Sequence, residues 1–259
     1  TYSWLEHFDD DLEVLALEDR FETPGGYERV DVDNESFGAF LRRLPLRTDR
    51  TTVRAYDGTL LDSPSAAVVA LDIGERDLQE CADSAIRLHA EFLWLRDRRD
   101  ELGYHFTSGD LSRWEDWQNG ERYEISGADV RRVERSEVEP TRAHFREWLD
   151  TIFQYAGTRS LQHDTDPVEG QIRPGDLYVA PGSPGHAVIV LDVAENEAGD
   201  QIALLGQGFM PAQEFHVIRA PGLAAHNDVW FELPDSNKSH LNTPSWQPFD
   251  GDQARRFHQ

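Results

Sequence analysis

From residue 175 to 233 the apolar residues abandon helical spacing and fall into short runs punctuated by glycine and proline. Segments 176–180, 187–193, 201–206, 214–219 and 229–233 each read as a strand, and the tight turns between them favour antiparallel neighbours. Upstream the clearest spacing is helical. Asp77 and Glu80 make a D-x-x-E capping pair, and Ala82, Ala85, Ile86, His89, Leu93 and Leu95 share one broad face of a helix running to about 102. A second helix is read over 140–155, with Phe145, Trp148, Leu149, Ile152 and Phe153 inward. A helical part followed by a run of strands is the α+β pattern.

The remaining elements are shorter. Residues 27–33 alternate like a strand, and Ser36 caps a short helix through 44 that Pro45 ends. Residues 51–56 and 66–73 read as two more strands, the second apolar enough to be central in its sheet. Trp114 and Trp117 suggest a short helix over 111–119, with a hairpin near Gly120. One α+β domain is therefore expected over 21–233. It is preceded by an acidic segment, 1–20, read as a loosely attached helix, and followed by a tail, 234–259, read as extended or disordered.

Charge narrows the partners. With 49 acidic residues the net charge is −24, and Lys238 is the only lysine among 25 basic residues. Such a surface repels nucleic-acid phosphates, which sets DNA and RNA binding aside. The acidic residues are spread along the whole chain, as in proteins adapted to high salt, where screening relieves self-repulsion. No apolar run reaches the ~20 residues of a membrane-spanning helix, so no transmembrane segment is expected.

Two residues suggest chemistry. Cys81 is the one cysteine, near the start of the best helix. Unpaired N–H groups and the dipole at a helix start favour a thiolate, although Asp77, Glu80 and Asp83 oppose it. The plainer alternative is a small core residue. His186 follows the turn Gly182-Ser-Pro-Gly185 and opens an apolar strand. In an antiparallel hairpin the start of one strand lies beside the end of the next, so Gln207 is expected next to His186. Cys81, His186 and Gln207 are then candidates for nucleophile, base and orienting group. The alternative gives His186 to loop carbonyls and Gln207 to a turn. His89, His105, His163 and His216 take structural readings. No metal-binding spacing or phosphate loop is present, so neither metal nor cofactor is expected.

Several stretches carry a resemblance to known families. Asp77-Leu-Gln-Glu-Cys-Ala-Asp-Ser-Ala-Ile-Arg-Leu, Phe153-Gln-Tyr-Ala-Gly-Thr-Arg-Ser-Leu, Gly182-Ser-Pro-Gly-His-Ala-Val-Ile-Val and Met210-Pro-Ala-Gln-Glu-Phe-His-Val resemble a bacterial family known only as domain of unknown function 4846. The likeness covers roughly 20–233, and it implies an exported or lipid-anchored envelope protein. More remotely, the order Cys81, Gly175-Asp-Leu177, His186, Gln207 is similar to NlpC-type papain-like cysteine peptidases. That likeness implies a papain-like core, with the Cys81 helix packed on an antiparallel sheet formed mainly by 175–233. The family's Asp-Cys-Ser-Gly signature is replaced here by Glu80-Cys-Ala-Asp, and about 90 residues separate helix from strands.

The leading expectation is thiol hydrolysis of an amide bond, with a cell-envelope peptide or small molecule as substrate and Tyr56 lining the same pocket. The alternative is a non-catalytic envelope binding or scaffolding protein, in which Cys81 is buried and no cleft reaches its sulfur. A third reading places a ligand pocket at Trp114, Trp117 and Tyr123.

Overall fold

The computed structural model describes residues 2–8, 11–127, 129–224, 226–234 and 240–258. Nine strands form one antiparallel sheet: β1 (Tyr27–Arg29), β2 (Ser65–Val68), β3 (Thr165–Pro167), β4 (Leu177–Ala180), β5 (His186–Asn196), β6 (Gln201–Gln207), β7 (His216–Ile218), β8 (Trp230–Glu232) and β9 (Ala254–Phe257). Their order is β3-β9-β4-β5-β6-β7-β2, with β8 paired to β6 and β1 to β5. The four longer helices are α1 (Phe37–Arg42), α2 (Cys81–Leu95), α3 (Trp114–Gln118) and α4 (Arg142–Tyr155).

The strand run expected over 175–233 thus forms the centre of the sheet. Tight turns hold β4, β5 and β6 in register, with Val179 opposite Ala187 and Ile189 opposite Gly206. A bulge between Val190 and Asp192 places the Asp192 carboxylate between Arg42 Nε (2.5 Å) and Arg29 Nε (2.6 Å), a fully buried acid held by two cations.

Alternation along these strands divides the interior in two. Ala187, Ile189, Leu191 and Leu204 pack with α2 and α4 in the larger core. Tyr178, Val188, Val190, Ala203 and Leu205 pack on the other face with Phe231, Leu241 and Phe249. On the helix face Phe145, Trp148, Leu149 and Ile152 are fully buried, as the spacing of α4 predicts. Thr141 Oγ1 caps that helix by accepting from His144 N–H. An ion-pair network joins α2 to α4: Arg87 meets Asp72 (2.9 Å) and Glu91 (2.8 Å), and Arg142 reaches the same Glu91 (2.6 Å).

Three sequence-based expectations are corrected and a fourth holds. The 66–73 strand is not central; β2 ends the sheet path, and beyond it the Val14–Ala16/Pro45–Arg47 pair meets the chain edge-on through the bridge between Leu46 and Val69. The segment 1–20 is not loosely attached, because the Trp4 indole is buried and donates to the Ala70 carbonyl (2.6 Å). The tail is not disordered over its described residues: β9 lies inside the sheet between β3 and β4, and Phe249 and Phe257 are buried. The hairpin expected near Gly120 is present, Glu121–Ser126 paired with Asp129–Glu134. Residues 235–239 of the tail, Lys238 included, lie outside the described residues.

Candidate active site

α2 starts one turn later than the Asp77/Glu80 reading predicts. Glu80 N–H donates to Asp83 Oδ2 (3.1 Å), so the capping pair is Glu80 with Asp83, and Cys81 is the first residue of the helix. Asp77 is used elsewhere, its carboxylate accepting from Ala212 N–H (2.7 Å). The helix start sits tightly over the sheet because Gly208 has no side chain. A Cβ there would lie 2.4 Å from Ser84 Oγ and 2.8 Å from the Glu80 carbonyl.

Cys81 is buried, 6% exposed. It meets the start of β5 along the backbone, with Sγ 4.0 Å from the Gly185 carbonyl and accepting from Ala187 N–H. The sulfur therefore touches both residues flanking His186. Burial pushes its pKa up to about 12; the Ala187 N–H eases this, while Asp83 and Glu80 add to it. The resting group is a neutral thiol.

His186 is fully buried on the opposite face of the sheet. It shares that face with Val188 and Val190, and its ring is surrounded by Phe209 (4.9 Å), Trp246 (5.2 Å) and Phe249 (6.0 Å between centroids). Its Nε2 lies 2.9 Å from Gln207 Oε1, so the hairpin argument placed these two correctly as neighbours. Nδ1 is buried without a partner among the described residues, and no hydrogen bond joins the ring to Cys81. Burial lowers the His186 pKa to about 4, with Gln207 opposing. Thiol and imidazole thus meet the same strand start yet are unbonded, the sulfur against the backbone on either side of His186.

A cleft of about 470 Å³ opens beside Gln207, walled by Asp62, Ser63, Pro64, Phe209, Pro244 and Ser245. A larger groove, about 1190 Å³, lies elsewhere, between 26–33 and 171–176. Cys81 lines neither.

The other nominated residues part company with the site or only border it. Tyr56 is half-buried, its N–H bonded to the Ala212 carbonyl (2.9 Å), which ties it to the 210–213 loop. Trp114 (1% exposed) and Trp117 (6%) are corrected: they are core, not ligand platforms. Trp114 packs edge-on to Trp94, Phe145 and Trp148, and the Arg122 guanidinium covers the Trp117 ring at 3.6 Å. Tyr123 bonds to Glu121 Oε1 (2.7 Å) on the hairpin behind that cluster. No three-residue His/Cys/Asp/Glu metal cluster occurs among the described residues. No described helix is long and apolar enough to cross a membrane.

Two partners of Gln207 escaped the sequence reading. Its Nε2 lies 3.3 Å from His216 Nε2 and 3.2 Å from Ser245 Oγ. His216 was reachable, since the hairpin argument that joined His186 to Gln207 also sets Gln207 opposite His216 in the next pair. Ser245 carried no signal, because it meets Gln207 from 38 residues further along the chain.

A large antiparallel sheet with one long cysteine-bearing helix on one face defines a mixed α/β protein with a thiol at a helix start. The chain belongs to the family described as domain of unknown function (4846), whose model matches residues 17–256. That span takes in α1 through most of β9, so the C-terminal strand is part of the family's fold. No curated protein and no solved structure matches the chain.

Proposed function

We propose that the chain is a papain-like thiol hydrolase of an amide bond, with Cys81 as nucleophile, His186 as base and Gln207 orienting the base. The observation that carries this reading is the unpartnered Nδ1 of His186. A buried acceptor without a partner is costly, and here it belongs to an imidazole fixed through its other nitrogen, beside a sulfur at a helix start. In the reaction the Cys81 thiol gives its proton to Nδ1 as sulfur attacks the carbonyl carbon. The leaving amine takes that proton back, and water then releases the acyl group, its proton passing through the same nitrogen to the sulfur. Backbone N–H groups at the start of α2 face the developing oxyanion. An envelope peptide is the substrate class, resting on the family resemblance alone. The reading requires imidazole and sulfur to meet, which the resting arrangement does not provide.

A second reading has its own support: Cys81 is buried, its thiol is pushed up to about 12, and it makes no bond to the imidazole. These favour a non-catalytic envelope binding or scaffolding protein that keeps the fold. Alkylation by a small thiol reagent across pH separates the two. The hydrolase reading expects native-state alkylation with a midpoint below ~8 that is lost in His186→Ala. Inertness until denaturant is added would leave the non-catalytic reading standing.

A further inference from the structure

We propose that His216 is a positioning residue: it orients the Gln207 amide and through it fixes His186 as the Nε2–H tautomer, with the Nδ1 lone pair free. The inference deepens the thiol hydrolase reading, on which its purpose rests, but its geometry stands apart from any activity.

The chain of deduction starts at a backbone carbonyl. His216 Nδ1 lies 3.0 Å from the Glu214 carbonyl oxygen, which only accepts, so Nδ1 carries the proton. A neutral imidazole has one N–H, and His216 is fully buried, so its Nε2 is an acceptor. The group 3.3 Å away on Gln207 must then be the amide NH2. The second hydrogen of that NH2 is taken by Ser245 Oγ at 3.2 Å. Gln207 Oε1 is thereby turned to His186 Nε2, 2.9 Å away, and can only accept from it. His186 Nδ1 is left as a bare lone pair. The reversed amide would set oxygen against the His216 lone pair, an unfavourable contact in a buried place.

Position in the fold makes this a built device. Gln207 and His216 are register partners on β6 and β7, and the Val188–Leu205 face carries all three side chains away from α2. Gly206 and Gly208 flank Gln207, and a Cβ at Gly206 would come within 2.6 Å of Phe215, so the strand is held close on its helix side. Gln207 therefore has little freedom except rotation of its amide, which His216 removes.

Long-range proton–nitrogen NMR on the histidine rings of the whole chain tests this. In the wild type His186 is expected as a single Nε2–H species and His216 as a single Nδ1–H species. In His216→Met the amide loses its acceptor, and an Nδ1–H population of His186 is expected to appear; His216→Gln, which restores an acceptor near the Nε2 position, is expected to remove it. Wild-type His216 protonated on Nε2, or an unchanged His186 tautomer in a folded His216→Met, overturns the proposal. Should His216→Met not fold, Gln207→Glu decides. Its carboxylate has no hydrogen to offer, so His216 is expected to take a second proton and titrate above about 4; an unmoved midpoint overturns the proposal. Thiol reactivity does not enter these spectra, so a failed hydrolase reading and a failed tautomer device are told apart.

Discussion

The two faces of the central sheet are built on different principles. The helix face is an aromatic and aliphatic core closed by neighbours in sequence: α2, α3 and α4 bring Trp94, Trp114, Phe145 and Trp148 into edge-on and stacked contact. The opposite face carries the polar chain Glu214–His216–Gln207–His186 and is closed by residues 244–249, which arrive from the far end of the chain. His186 belongs to the second face, and Cys81 sits against the backbone of the same strand start. The difference teaches that one strand start can carry a thiol against its backbone and an imidazole on its far face without a bond between them.

The largest break in this comparison should come from the helix face. Trp148 is fully buried and its indole donates to Ser112 Oγ (3.0 Å), so Trp148→Ala is expected to cost about 3–5 kcal/mol in denaturant unfolding. The His186 ring resonances of the folded fraction should stay unchanged; a shift there would mean that the two faces are not independent. Gly208→Ala comes next, at about 1–3 kcal/mol, because the Glu80 carbonyl cannot move without the helix start. Faster alkylation of Cys81 in that variant would show the helix lifting from β6, and an unchanged rate would show that the sheet yields instead.

The opposite face is probed by Trp246→Ala, which should cost little stability because Trp246 is half-buried. Its effect should appear in titration. Burial holds His186 and His216 at about 4 instead of 6.5, so each contributes stability that is lost as pH falls from 6.5 through 4. Uncovering His186 should raise its midpoint toward 6.5 and leave His216, which no ring of the 244–249 segment contacts, nearly in place. The reading fails if both move together. Single-site titration is needed because burial raises the Asp83 carboxyl, which acts on stability in the opposite direction with pH.

The smallest expected effect on the comparison is that of salt. Raising sodium chloride toward 1 M, where the Debye length is ~3 Å, should raise the unfolding midpoint by relieving the −24 charge. It should act on both faces alike, leaving the difference between the two histidines unaltered.

Much of the scaffold was legible in the residues. The strands of 175–233, the cap at Ser36 and the inward face of α4 follow from local spacing, which short turns and a single buried face enforce. The His186–Gln207 contact was also legible, because a hairpin fixes its own register. The start of α2 was misjudged by one turn, since Asp77 with Glu80 and Glu80 with Asp83 are equally spaced capping pairs and only the Ala212 N–H, contributed by a distant loop, takes Asp77 away. The tryptophans were ambiguous because the spacing of Trp114 and Trp117 is the same for a core helix and an exposed platform; Trp94, Phe145 and Arg122 settle it.

Sequence by itself determined which residues alternate, which recur at helical spacing, and which short turns join neighbours, for these are set by chain geometry within a few residues. Only the tertiary structure decided which side of the sheet His186, Gln207 and His216 face, what covers them and which polar groups meet them. Those depend on segments far apart in the chain meeting in one dry interior, where an unmatched donor or acceptor is costly and each partner constrains the next.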